Sequence, residues 1–339
     1  MKLILKIIKW IGKFIGGILL LLILSGLGYR LFSSKPVPPG KLVDVNGTEL
    51  HIRVDGEKNN LPTLILESGA NSHTDMLHWV AEGLKNNMRV IRYDREGKWF
   101  SEESNEKISP EFYARQLHDL LEKNGEKPPY IMAGHSMGGS YIRIFRDLYP
   151  NEVKALIFID STHPEQWKRL NQNSLINESQ INSMKLVASI SDMGLRGIYN
   201  IISAPKPKND GLPKECHIRN LNLASNSGKV YRRYLKENEI NNSIFLRTSE
   251  SSSLDSLPVL VFTAKEQYTE FHKRKLREKG IDPENELDLW YGMQKELKEL
   301  SSNGKQIIME ANHGSIITKK ENAEVVNREI LSLTKKIVK

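Results

Sequence analysis

Apolar and polar positions along the chain fall into three regimes. The first covers about forty residues. Lys2, Lys6, Lys9 and Lys13 precede an uncharged run from Phe14 to Tyr29, which Arg30 closes. As a helix that run spans about 24 Å, short of the roughly 30 Å hydrocarbon core of a bilayer. The stems of Lys13 and Arg30 can make up the difference by carrying their charges to the headgroups. Four lysines before the run, against Arg30 and Lys35 after it, predict a cytoplasmic N-terminus and a body outside the cytoplasm. A cleaved signal peptide, with Gly26 or Gly28 near the processing site, is the competing reading. Lys35-Pro36-Val37-Pro38-Pro39 reads as an extended spacer, which argues against a buried core helix.

From Lys41 the pattern changes to short apolar strands alternating with helical stretches. Lys41–Asp44 and Glu49–Val54 flank Asn46-Gly47, a two-residue hairpin signal because both positions accept positive φ. Thr63–Leu66, Arg89–Tyr93, Tyr130–Ala133 and Ala155–Ile159 read as strands. Glu111–Lys123 and Ser140–Leu148 read as helices between them. Strand alternating with helix predicts an α/β fold with a largely parallel sheet covered on both faces and an antiparallel edge.

The rhythm stops after Asp160. Residues 165–255 are rich in Asn, Ser and Lys, with helix-like patches at 179–201 and 229–240. Strand patterning resumes at Pro258–Thr263 and returns at Gln306–Glu310, with helices expected at Glu286–Leu300 and Ala323–Leu333. The expected organisation is therefore an anchor or signal peptide (1–34), a linker (35–40), a core in two parts (41–164 and 256–339), and a helical cap inserted at 165–255. A cap there would cover the strand ends, where ligands bind in open α/β sheets.

Composition narrows the function. With 39% hydrophobic and 27% charged residues the chain can bury a core. A mean hydropathy of −0.44 leaves room for one membrane segment at most. The single cysteine, Cys216, excludes an internal disulfide framework and a cysteine-based zinc site. The net charge of +8 includes the four N-terminal lysines, and the remaining cations show no aromatic-interleaved stripe. Nucleic acid is not an expected partner. No His-Glu-x-x-His, phosphate-binding glycine loop or dinucleotide fingerprint occurs, so neither metal nor cofactor is expected.

One motif carries chemistry. Gly134-His135-Ser136-Met137-Gly138-Gly139 lies between an expected strand and an expected helix. Gly134 and Gly138 allow a sharp turn that presents Ser136 Oγ and leaves the Met137 N–H facing a developing oxyanion. A serine hydroxyl needs a base, and His313 follows the last expected strand, in the chain order of this kind of site. The carboxylate that orients the imidazole is Asp160, which ends the strand Ala155–Ile159, or Glu266, which follows Pro258–Thr263. Glu67-Ser68-Gly69-Ala70 suggests a second oxyanion donor at the Ala70 N–H. His135 is expected to pack, His163 to line the pocket or brace a turn, and Arg95 to pair with nearby carboxylates.

With these residues in view the chain resembles the α/β-hydrolase superfamily over nearly all of 41–335. It looks like a branch marked by Leu66–Gly69, Tyr93-Asp94-Arg95-Glu96-Gly97, Gly134–Gly139 and Asp160-Ser161-Thr162-His163-Pro164. In that branch the acid follows the strand after the nucleophile helix, which the resemblance maps to Asp160. Lys98 stands where relatives usually carry a glycine. The resemblance implies a serine hydrolase acting on a small acyl substrate, and the N-terminal run adds the expectation that it sits at the cell membrane, held in the bilayer through residues 14–29. An aminopeptidase-type enzyme, a cofactor-free peroxidase and a non-catalytic binding protein are the alternatives on the same fold.

Overall fold

The computed structural model describes residues 2–171, 176–206, 209–266, 268, 270–278 and 280–338. Parts of the expected cap, at 172–175 and 207–208, lie outside the described residues, as do the two terminal residues. The described chain forms two units, one of residues 38–176, 209–213 and 233–339, the other of 1–37, 177–208 and 214–232.

The larger unit is built on eight strands: β1 (Lys41–Val45), β2 (Thr48–Asp55), β3 (Thr63–Glu67), β4 (Val90–Tyr93), β5 (Tyr130–His135), β6 (Val153–Ile159), β7 (Val259–Ala264) and β8 (Gly304–Met309). They lie in the order β1-β2-β4-β3-β5-β6-β7-β8. The pairs β1–β2 and β2–β4 are antiparallel and all others parallel, as the alternating pattern predicts. Asn46 and Gly47 both take positive φ and close the edge hairpin with Val45 opposite Thr48.

The helices of the chain are α1 (Lys2–Phe32), α2 (His78–Leu84), α3 (Phe112–Lys123), α4 (Gly138–Leu148), α5 (Gln166–Arg169), α6 (Glu178–Asp192), α7 (Leu195–Ser203), α8 (Lys214–Asn226), α9 (Lys229–Glu239), α10 (Asn241–Ser249), α11 (Glu270–Glu278), α12 (Pro283–Glu299), α13 (Ser315–Thr318) and α14 (Lys320–Ile337). On one sheet face α3 and α4 supply Leu117, Leu120, Ile142 and Phe145 to a core that also takes Ile244 and Phe245 from α10. On the other, α2 and α14 supply Val80, Leu84, Val326 and Ile330. The inner parallel strands β5, β6 and β7 are buried on both faces, which explains their apolar runs, whereas the edge strand β8 is largely open to solvent.

The smaller unit holds α1 and three helices from between β6 and β7. At 31 residues α1 is about twice the uncharged run, because the lysine-bearing turns before it are helical too. Leu3–Phe32 is long and apolar enough to cross a membrane, and α1 is exposed along most of its length. The expected patch 179–201 is two helices, broken where Gly194 adopts φ +75. Helices α8 and α10 were not legible in sequence because their Asn-, Ser- and charge-rich stretches show no clear apolar stripe.

The turn between β5 and α4 sets the site. A Cβ at Gly134 would lie 2.4 Å from the backbone of Gly138, and one at Gly138 would lie 2.5 Å from the Glu67 carbonyl. Backbone, not a flexible side chain, blocks both positions. Gly292, inside α12, has open space around it. Gly134→Ala is expected to lose about 1–3 kcal/mol or more, whereas Gly292→Ala should gain about 0.5–1 kcal/mol from helix propensity. Urea unfolding of the two full-length variants in detergent checks this; a Gly134→Ala midpoint equal to wild type would contradict the close approach of Gly134 to the Gly138 backbone.

Candidate active site

Ser136 lies between the end of β5 and the start of α4, with φ +55. A left-handed serine costs about 1–2 kcal/mol, and neighbouring backbone holds it there. Its N–H donates to the Ile159 carbonyl at 3.2 Å, and its carbonyl accepts from Gly139 at 3.0 Å and Thr162 at 3.1 Å. The backbone of Ser136 is thus committed at both its amide and its carbonyl, which fixes the direction in which the side chain leaves the turn.

Asp160 follows β6 directly, also at positive φ, and is fully buried. Its Oδ1 accepts from the Ala264 N–H at 3.0 Å and from Trp290 Nε1 of α12 at 3.3 Å. Its Oδ2 lies 2.6 Å from His313 Nδ1. A buried carboxylate with three donors is fixed in orientation, and its bond to Nδ1 leaves Nε2 of His313 as the other ring nitrogen. Gln294, four residues along α12, donates to the Ser161 carbonyl at 2.7 Å and braces the same turn. Glu266 is exposed, and its backbone N–H bonds the Ala311 carbonyl at 2.8 Å.

His313 is 41% exposed at its side chain while its partner is buried. The loop carrying it is stiffened by Asn312, whose Oδ1 accepts from Gly314 and Ser315 at 3.1 and 2.8 Å. His135 does more than pack. Its Nε2 donates to the His313 carbonyl at 2.8 Å, and the two rings lie 4.6 Å apart. The residue beside the nucleophile therefore grips the backbone of the candidate base. Burial, with His313 nearby, pushes the His135 imidazole down to about 3, so it stays neutral at physiological pH.

The Glu67–Ala70 loop passes against Ser136: a Cβ on Gly69 would lie 3.0 Å from the Ser136 Cβ. Arg95 holds this loop by its carbonyls, donating Nη1 to Ser68 and Nη2 to Gly69, both at 2.7 Å. In a trans peptide the C=O and the next N–H point in opposite directions. Tying the Gly69 carbonyl to Arg95 therefore turns the Ala70 N–H away from the guanidinium. Met137 is buried just before the first turn of α4, where N–H groups lack helical partners.

Beneath that loop lies a buried ionic cluster. Arg95 pairs with Glu67 and, at 3.3 Å, with Glu237 of α9; Lys98 pairs with Glu237 as well. Tyr93 donates to Glu67, and Tyr141 donates to Glu237 at 2.6 Å. Two carboxylates face two cations, so the group is balanced in charge and well supplied with hydrogen bonds. Burial pushes the Glu237 carboxyl up, but Lys98 and Arg95 outweigh it and hold the group below the usual carboxylate range. Burial and the nearby Arg95 bring the Lys98 ammonium down to about 8. Lys98 thus places in this interior a charge that a carboxylate over a hundred residues away neutralises. Glu67, a lone charge ending an apolar strand, was the available signal for this cluster; Glu237 had none.

His163 turns on its own loop: Nδ1 accepts the Glu165 N–H at 3.1 Å, and Nε2 lies 3.3 Å from Glu296. His163, Glu165 and Glu296 are close enough to share a cation, but Arg169 already bridges both carboxylates, at 2.6 and 2.8 Å to Glu296 and 3.0 Å to Glu165. His118, Asp119 and Glu122 form a second such group on the surface of α3.

Residues 62–179 match the family model for the alpha/beta hydrolase fold. The chain is 26% identical to YbdG of Bacillus subtilis over 172 residues, 49% of this chain and 53% of that protein. It is 24% identical to monoacylglycerol lipase abhd6-B of Xenopus laevis over 133 residues, 37% of this chain and 38% of that protein. The chain thus spans about half or less of the length of the curated relatives it matches. Among solved structures, an enol-lactonase from Burkholderia xenovorans superposes with a TM-score of 0.56 at 18% identity, covering 87% of this chain and all of the other. Strand order, the turn at Ser136 and the family match over residues 62–179 agree, and the larger unit has the α/β-hydrolase fold.

Proposed function

We propose that the chain is a membrane-anchored serine hydrolase that cleaves esters or related acyl compounds, with Ser136 as nucleophile, His313 as base and Asp160 as the orienting acid. The observation that carries this reading is the 2.6 Å contact between buried Asp160 and His313 Nδ1, at the C-terminal ends of the strands where Ser136 turns out of β5. With Nδ1 engaged, Nε2 takes the proton from Ser136 Oγ as the oxygen attacks the substrate carbonyl. The Ala70 and Met137 N–H groups receive the oxyanion. His313 then returns the proton to the leaving group and activates water to release the acyl group from Ser136. The names of the monoacylglycerol lipase and enol-lactonase relatives point to carboxylic esters as the first substrates to try. The apolar span of α1 and the four lysines ahead of it support a single-pass anchor with the catalytic unit outside the cytoplasm.

Ser136→Ala is expected to abolish hydrolysis of p-nitrophenyl acyl esters. Asp160→Asn should lower kcat by about 10⁴-fold, while Glu266→Gln remains near wild type. Steady-state kinetics on the three full-length variants distinguishes the acids, and a near-wild-type rate for Asp160→Asn would defeat the assignment.

His135 supplies a pH signature. Its folded pKa lies below that of the free imidazole, so between about pH 6.5 and the value near 3 the unfolded chain binds the extra proton. This contribution to stability is present above the unfolded pKa and lost as the pH falls. His135→Gln keeps an amide donor for the His313 carbonyl and removes the titration. It should flatten part of the loss of stability seen by urea unfolding between pH 7 and pH 4; an unchanged slope would rule out a buried neutral imidazole.

A further inference from the structure

The +8 charge of the chain is not spread evenly. The smaller unit carries fourteen basic and three acidic residues, a net +11, and the larger carries thirty-five basic and thirty-eight acidic, a net −3. Six of the fourteen cations belong to the N-terminal segment, and the other eight come from residues 177–208 and 214–232. The same unit leaves large apolar side chains in solvent. On α7, Ile198, Tyr199 and Ile202 fall on one helix face, and Tyr199 and Ile202 are 67% and 79% exposed, while Leu195 is half-buried and turns to Gly26 of α1. Ile201 is exposed beside them, as are Met193 before α7 and Leu186 on α6.

Where this face sits is fixed by backbone contact with α1. A Cβ on Gly26 would lie 2.0 Å from the Met193 carbonyl, and one on Gly197 would lie 2.0 Å from the Tyr29 ring. Arg30 Nη1 donates to the Asp192 carbonyl at 2.5 Å. These contacts hold the start of α7 against residues 26–30, where the uncharged run of α1 ends. For a helix that crosses a bilayer, that level is the headgroup boundary. Tyrosine and branched apolar side chains are favoured there, and surrounding cations meet anionic lipid.

We propose that the outer face of α7 lies in the interface of the bilayer that α1 enters, with the cations of the smaller unit on anionic headgroups. The proposal rests on the reading of α1 as an anchor. It commits to a lipid surface, not to a protein partner, because the apolar face adjoins the apolar span and the charge excess is confined to the unit that carries both. The smaller unit then has two attachments to the membrane, one through α1 and one along α7.

The test uses the full chain in phosphatidylcholine vesicles containing phosphatidylglycerol, with single cysteines carrying a nitroxide label. Ile202→Cys probes α7, Leu22→Cys probes the anchor, and Lys107→Cys, exposed on the larger unit, reports the aqueous phase. Cys216 is buried, and wild-type chain treated alike gives the background. Collision with oxygen should exceed collision with a soluble nickel chelate several-fold at Leu22 and at Ile202, and the order should reverse at Lys107. Omitting phosphatidylglycerol should shift Ile202 toward the nickel chelate and leave Leu22 unchanged. A label at Ile202 that is aqueous while Leu22 is immersed overturns the proposal and leaves the anchor standing. Protection at Ile202 from both reagents would mark a protein contact and overturn it too. An aqueous Leu22 would remove the anchor, and the proposal with it.

Discussion

The candidate site depends on one hydrogen bond between side chains 153 residues apart, from His313 Nδ1 to a carboxylate buried to zero exposure. A buried charge is costly unless its lone pairs are filled. Here the Ala264 N–H and the Trp290 indole fill one oxygen, and the imidazole fills the other. The carboxylate cannot easily find water instead, so the imidazole is held in one orientation. His135, one residue before Ser136, bonds the His313 carbonyl and links the loop of His313 to the turn that carries Ser136. A change in any of β5, β6, β7 or α12 would be felt at this bond.

A second layer of buried charge supports the opposite side of the site. Arg95 spends two donors on the carbonyls of Ser68 and Gly69, which fixes the face that the Ala70 N–H presents. Glu67 and Glu237 balance Arg95 and Lys98, and tyrosine hydroxyls supply further hydrogen bonds. Such networks tolerate poorly the loss of a single member, because each leaves an opposite charge unpaired in a dry interior. The larger unit thus combines an apolar core on both sheet faces with an ionic cluster under the loop that passes against Ser136.

Much of this was legible in sequence. The elbow at Gly134–Gly139, the histidine after the last strand and Asp160 at the end of β6 are local features, readable from turn chemistry and strand order. Chain order alone left Glu266 equally admissible; burial and the Nδ1 contact, which no local pattern encodes, distinguish Asp160 geometrically. Glu237 gave no signal because a partner so far along the chain leaves no local mark. His135 packs as expected, but its bond to the His313 carbonyl was not legible because side-chain direction on a turn does not reveal which backbone approaches it. The smaller unit was hardest to read. Its apolar positions on α7 look like a weak core stripe until their exposure, and the contact of Gly197 with Tyr29, are known.

The most direct measurement of the account is where, and how fast, a fluorophosphonate attaches. Wild-type chain at neutral pH should take up one phosphonyl group, and peptide mapping by mass spectrometry should locate it on Ser136. Asp160→Asn should retain the site but react far more slowly, since the serine loses an oriented base while its turn remains. Folded wild-type chain that stays unlabelled, or a label on a serine other than Ser136, would contradict the account.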